Sequence, residues 1–142
     1  MNFESVNWWA IVVAAVVAFG IGAVWFGPKT FFPLWWKAMG HEESETPGAG
    51  LNMGVVFGLT FVAQFVMAVS VAVVLSFLAQ ARGSVSVLDG FVTGATLGIG
   101  FVAASSLSHR LFAGHGVKVW LIEVSGDVVA ITVMGVILAL WR

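Results

Sequence analysis

Long apolar stretches separated by short polar turns make up most of this chain. A helix needs about 20 apolar residues to cross the hydrocarbon core of a bilayer, and four of the stretches reach that length. His41 to Gly50 is the one strongly hydrophilic run. The pattern predicts an all-α membrane protein, a four-transmembrane-helix antiparallel bundle that forms a single domain over residues 1–142. The predicted spans are about 6–26, 51–79, 87–108 and 117–141.

The segment between the first two spans has an unusual composition for a loop. Gly27 and Pro28 end the first span, and the residues from Lys29 to Gly40 include three phenylalanine or leucine and two tryptophan side chains. This segment is too short to cross a membrane and too aromatic to favour water. We therefore expect an aromatic interfacial segment that lies along the lipid headgroups, either as an anchor or as the lip of a substrate entrance.

The seven tryptophans fall near the ends of the predicted spans. Tryptophan is enriched where a membrane protein passes from hydrocarbon to water, so all seven are predicted interfacial anchors. In a four-span arrangement they divide into two groups: Trp8, Trp9 and Trp141 at one interface, and Trp25, Trp35, Trp36 and Trp120 at the other.

Glycines recur at a spacing of four residues in two of the predicted spans. The third span carries Gly90, Gly94 and Gly98, and Phe101 and Ser105 continue the same helical face. Small residues at this spacing let two helix backbones approach closely in lipid. The second span carries a similar pair, for which we predict the same packing role: Gly54 and Gly58.

Composition supports lipid as the solvent. The chain is 60% hydrophobic and 9% charged, whereas soluble domains are about 25% charged. The net charge is −1, and no basic patch predicts nucleic-acid binding. Lys29, Lys37, Arg110 and Lys118 lie in the loops after spans one and three, against Arg82 and Arg142 on the opposite side. This excess predicts a multi-pass protein of the cytoplasmic (inner) membrane with both termini outside.

Two carboxylates interrupt the last apolar stretch. Glu123 and Asp127 are four residues apart and share one face of a helix. Ionisable groups inside a membrane are costly, so they are expected to face protein and to have partners. Lys29, Arg110 or Lys118 are candidate partners of Glu123, whereas the polar residues predicted near the depth of Asp127 are Gln64 and Thr60.

No catalytic or cofactor site emerges from the sequence. The chain contains no cysteine, and His109, His115 and Glu123 do not match a strong metal-ligand spacing. No predicted span has a central histidine that could bind haem, and no nucleotide-binding motif occurs. The sequence therefore predicts no metal, cofactor or catalytic residue, and an enzyme is the less favoured class.

Several landmarks resemble the DUF1761 family of bacterial membrane proteins, which has no assigned function. They are Val6-Asn7-Trp8, Trp25-Phe26-Gly27-Pro28, Trp36 to Gly40, Asp89-Gly90 and the run from Leu121 to Trp141. The resemblance covers most of the chain. It implies, in the last span, an acidic residue before a glycine and a polar ring after it. Asp127 follows Gly126 here and departs from that pattern.

The leading functional hypothesis is a non-enzymatic membrane component, either a homo-oligomer or an accessory subunit of a larger membrane complex, with membrane lipids as surroundings. One alternative is a small proton- or solute-conducting carrier or channel that uses Asp127 and Gln64. A second alternative is an enzyme that handles lipid or quinone at the tryptophan-rich interface. A protonatable acid at mid-membrane suits a carrier, but it also suits a simple hydrogen bond between helices.

Overall fold

The computed structural model describes residues 7–48 and 50–141, and its regular elements are all helical, as predicted. Four helical stretches are long and apolar enough to cross a membrane, the third being α4, the π-helical segment and α5 taken together as Val87–Phe112. The elements are α1 (Trp8–Trp25), α2 (Phe32–Ala38), α3 (Met53–Arg82), α4 (Val87–Leu97), a π-helical segment (Gly98–Ala103), α5 (Ala104–Phe112) and α6 (Gly116–Leu140).

Polar side chains begin three of the long helices. At the start of α1, the side-chain oxygen of Asn7 accepts a hydrogen bond from the Ala10 amide. At the start of α3, the side-chain oxygen of Asn52 accepts from the amides of Gly54 and Val55. Ser86 and Asp89 form a capping box at the start of α4. These side chains satisfy amides that have no partner inside the helix, which makes the boundaries well defined. Asp89 also pairs with Arg82 at 2.8 Å, so its role here is local.

The aromatic interfacial segment contains a short helix, α2, held against the end of α1 by aromatic contacts. The Trp25 and Phe31 rings lie 4.6 Å apart, and the Phe26 and Trp35 rings meet edge to face at 5.4 Å. The Thr30 hydroxyl donates to the Trp25 carbonyl at 2.8 Å and closes the turn between the helices. α2 is therefore attached to the rest of the fold.

The third apolar helix is not a regular α-helix. Residues Gly98–Ala103 are π-helical, and this segment separates α4 from α5. A π-helical turn holds more residues than an α-helical turn, so it rotates the face that follows it. Phe101 is 69% exposed and Ser105 is exposed, whereas Ala103 is buried. The sequence expectation that Phe101 and Ser105 continue the glycine face is wrong for this reason.

α6 is the central helix. It packs against α1, α3, α4, the π-helical segment and α5, and it contributes residues to both ends of the fold. The main apolar core lies where α1, α3 and α6 meet, and its members on α1 are small: Ala10, Ala14, Ala15 and Ala18, together with Ile11. Small side chains allow the helices to approach closely, which provides much of the association free energy in lipid.

Candidate functional site

Glu123 on α6 holds together three separate parts of the chain. Its Oε1 accepts a hydrogen bond from the Trp35 indole nitrogen at 2.9 Å, and its Oε2 pairs with the Arg110 guanidinium at 2.6 Å. Arg110 also donates to the Nδ1 atom of His115 at 3.3 Å. The Glu123 side chain is only 16% exposed. A mostly buried carboxylate is thus matched by a cation and a neutral donor, which offsets much of its desolvation cost.

Trp25 attaches the end of α1 to the same turn of α6. Its indole nitrogen donates to the Ile122 carbonyl at 2.9 Å. The ring lies on Gly126, where an added Cβ would come within 2.9 Å of the indole. We refer to Trp25, Trp35, Arg110, His115 and Glu123 as the tryptophan–glutamate cluster.

Trp120 makes a further contact between helices. Its indole nitrogen donates to the Ala103 carbonyl at 3.0 Å and lies 3.2 Å from the Ser106 hydroxyl. Ala103 is the last residue of the π-helical segment. Trp120 therefore ties the start of α6 to the point where the irregular segment returns to α-helix.

The predicted anchors behave differently at the two ends. The indole nitrogens of Trp25, Trp35 and Trp120 donate to other helices, and Trp36 donates to the Glu42 carbonyl. At the opposite end Trp8, Trp9 and Trp141 are exposed, and the Asn7 side chain donates to the Trp141 carbonyl at 3.2 Å. One tryptophan group thus belongs to the internal structure, while the other remains on the surface.

Asp127 and Gln64, the other predicted intramembrane polar residues, do not form a pair. Among the described residues Asp127 makes no hydrogen bond, and the buried Oε1 atom of Gln64 has none either. Thr60 is exposed and donates to the Val56 carbonyl in its own helix at 2.8 Å. The expectation of Thr60 beside Asp127 therefore has no support in these contacts, because the hydroxyl is bonded within α3.

The two predicted glycine faces also differ. An added Cβ at Gly90 would overlap the Gly135 carbonyl, and one at Gly94 would lie 2.5 Å from the Ile131 carbonyl. Gly98 lies against Val128. Gly54 and Gly58 are exposed, and no atom of another helix lies within 4 Å of an added Cβ. The close packing expected at Gly54 and Gly58 is therefore not made among residues 7–48 and 50–141 of a single chain.

The contacts of the tryptophan–glutamate cluster stabilise the packing of the helices and leave few of its polar groups free to react. Both oxygens of Glu123 are engaged, one by Trp35 of α2 and the other by Arg110 of α5, and Arg110 in turn contacts His115 in the turn before α6. Sequence reasoning found Glu123 and its possible cations, but missed the indole donors and the role of Gly126. A lone glycine within one turn of a buried acid was the available signal, because it permits a large ring to lie on the helix.

These features define an all-helical protein with four helices, within residues 7–48 and 50–141, that are long and apolar enough to cross a membrane. The family model described as "Protein of unknown function (DUF1761)" matches residues 9–139. The chain belongs to this family, as its landmarks suggested. Comparisons with curated proteins and with solved structures give no match.

Proposed function

We propose that this protein is a non-enzymatic component of the cytoplasmic membrane, with four antiparallel spans, that assembles as a homo-oligomer through the first half of α3. The observation that carries this proposal is the exposed glycine face of that helix. An added Cβ at Gly58 would meet no atom within 4 Å, and one at Gly54 would meet only the Asn52 side-chain oxygen at 3.2 Å. Every residue from 53 to 63 except Val56 and Phe61 is exposed. Glycines on a helix surface let a second helix approach closely in lipid.

Two contacts between α1 and α6 support the antiparallel arrangement. Asn7 at the start of α1 reaches Trp141 at the end of α6, and Trp25 at the other end of α1 reaches Ile122. The basic residues then favour the loops after the first and third spans on the cytoplasmic side. Cysteines introduced at Ser44 and Ser84 should react with an impermeant reagent from opposite sides of intact cells. Reaction from one side alone would contradict four spans.

The oligomer is tested by Gly58→Leu. The new side chain would enter open space in the single chain but would separate two α3 helices. We expect the variant to remain folded and to run as a monomer where the parent runs as an oligomer, measured by light scattering with detergent correction. Gly20→Leu, on α1 at a position that is also exposed and open, is the matched control.

Three results would count against self-assembly. A parent that is monomeric in native membrane extracts excludes the oligomer, and an oligomer unchanged by Gly58→Leu excludes this interface. A stable different protein bound to the same face would replace the homo-oligomer by an accessory subunit of a larger complex.

A proton- or solute-conducting carrier is the second candidate, and Asp127 favours it. This carboxyl group makes no hydrogen bond among the described residues, and the Oε1 atom of Gln64 is buried without one. Polar groups without partners in an apolar protein often mark a transport path. Asp127→Asn keeps the size and polarity of the side chain and removes its titratable proton.

Proton flux into vesicles distinguishes the two functions. A carrier that relays protons through Asp127 should lose its flux in Asp127→Asn, while folding persists. Asp89→Asn removes a carboxylate from the start of α4 and serves as the charge-matched control. Equal flux in the parent and the Asn variant would exclude the proton relay.

A further inference from the structure

A cleft of about 630 Å³ lies between α2 and the hydrophilic loop that follows it. Sites for small molecules in proteins commonly enclose about 300–1,000 Å³. One wall of the cleft is apolar and consists of Pro28, Phe32, Pro33 and Trp36. This cleft is separate from the tryptophan–glutamate cluster and from the glycine face of α3, and the proposed function uses no part of it.

The apolar wall is rigidly built. Trp36 is 9% exposed, and its indole nitrogen donates to the Glu42 carbonyl at 3.0 Å. Its ring stacks with Phe32 at 5.6 Å and with His41 at 3.9 Å. A site whose side chains are already fixed loses little conformational entropy when it binds a ligand.

The remainder of the lining is largely acidic. Glu42, Glu43 and Glu45 line it, against a single lysine, Lys37. Both carboxylate oxygens of Glu45 already have partners within the loop. Its Oε2 lies 2.7 Å from His41 Nδ1, and its Oε1 accepts a hydrogen bond from the Glu42 amide at 3.1 Å. The side chains of Glu42 and Glu43 make no hydrogen bond among the described residues and are exposed. Two carboxylates are therefore available to a ligand.

Apolar and aromatic groups facing carboxylates are the combination that binds organic cations. Because the Trp36 ring is already stacked with His41 and Phe32, Phe32 is the ring that can attract a cation through its quadrupole, and the carboxylates add a direct charge interaction. An anion would meet three carboxylates against one lysine, so its binding is disfavoured. A neutral apolar molecule would gain only from the apolar wall.

We propose that this cleft binds an alkylammonium group. Two sources carry that chemistry: the headgroup of an amine-bearing lipid and a free small amine. α2 is aromatic, and its exposed Phe31 and Leu34 suit the edge of a membrane, where lipid headgroups are abundant.

The first test uses the full chain in a neutral maltoside detergent with tetramethylammonium as the probe. His41 stacks on the cleft wall, so its ring resonances, assigned with His41→Gln, report occupancy by NMR. We expect a saturable shift with tetramethylammonium and none with tert-butanol, a neutral molecule of similar shape, or with methanesulfonate. Equal shifts with the cation and the neutral molecule would overturn the proposal.

Charge variants test the acidic wall. Glu42→Gln combined with Glu43→Gln should raise the Kd for tetramethylammonium about tenfold, since two exposed charge interactions with the cation are lost. Lys37→Gln should lower it, and Ser44→Ala, in the same loop, should leave it unchanged. An unchanged Kd in the double variant would overturn the proposal.

Added lipid then separates the two sources. Displacement of tetramethylammonium by phosphatidylethanolamine, but not by phosphatidylglycerol, identifies the lipid headgroup as the ligand. Retained tetramethylammonium binding that phosphatidylethanolamine does not displace identifies a free amine. Displacement by both lipids alike would mean that the cleft takes lipid without recognising the ammonium group, which contradicts the proposal.

Discussion

α4 and α3 both carry glycines four residues apart, yet the two glycine faces have opposite surroundings. Gly90 and Gly94 are buried against α6 at backbone contact. Gly54 and Gly58 have no neighbouring helix within 4 Å. The same spacing thus occurs in the tightest contact of the fold and on one of its most exposed surfaces.

The difference lies in the facing helix. α6 presents Gly135 to Gly90, and an added Cβ at either position would overlap the carbonyl of the other glycine. Ala139, also small, lies beside Gly90. Spacing on one helix determines how close a partner can come, but the partner needs small residues at matching positions. Opposite Gly54 and Gly58 of α3, no described helix supplies them within 4 Å.

The largest expected effect is that of Gly94→Leu. The Ile131 carbonyl and the Thr132 Cα would lie 2.5 and 2.7 Å from the new Cβ, and both are backbone atoms that cannot move aside. Overpacking commonly costs about 1–3 kcal/mol, and contact with backbone places this variant at or above the upper end. We expect loss of the folded state, measured by thermal unfolding in detergent and by yield.

Gly58→Leu provides the comparison for that prediction. It adds the same side chain to a glycine with the same spacing, but in open space, so its unfolding temperature as a monomer should stay near that of the parent. Similar destabilisation by both variants would show that insertion of leucine for glycine, rather than the α4–α6 contact, causes the loss.

An intermediate effect is expected for Gly126→Ala. The new Cβ would lie 2.9 Å from the Trp25 ring, which must shift and weaken its hydrogen bond to Ile122. We expect a net loss of about 1 kcal/mol, because alanine's higher helix propensity offsets part of the cost. Thermal unfolding and the Trp25 indole proton shift measure it. Gly20→Ala, in open space on α1, should not destabilise, and a Gly126→Ala variant as stable as Gly20→Ala would contradict the argument.

Apolar length and end residues were sufficient to predict the helical class. The described part of the chain contains four long apolar helical stretches, and the aromatic segment after the first contains α2. Hydropathy works because a helix in lipid must satisfy its own backbone hydrogen bonds over a fixed thickness. DUF1761 membership was also recognisable from short landmarks in order along the chain.

Details that depend on three-dimensional partners were not predictable. Nothing in residues 98–103 beyond two glycines indicates a π-helical segment, and its rotation moved Phe101 to the surface. Arg110 could not be chosen over Lys29 or Lys118 as the partner of Glu123, because only the fold fixes which cation reaches it. The sequence predicted Trp25, Trp35 and Trp120 to be lipid anchors. Tryptophan suits the membrane interface and a contact between helices equally well, so residue type alone does not distinguish the two.

The smallest expected effect concerns the response of the acidic loop beside α2 to pH. The Glu42 amide and then the His41 side chain lower the pKa of Glu45 below its ordinary value of 4.5. A carboxyl group whose pKa is lowered in the folded state stabilises the loop at pH values above the ordinary pKa, and this contribution disappears as the pH falls through the lowered pKa.

The Trp36 indole proton is hydrogen-bonded to the Glu42 carbonyl, so its exchange with solvent reports the opening of the loop. Its hydrogen exchange, corrected for intrinsic rates, should accelerate as the pH falls below 4.5 in the parent, whereas Glu45→Gln should exchange faster at neutral pH and show no such step. The same step in both proteins would show that another group controls the loop.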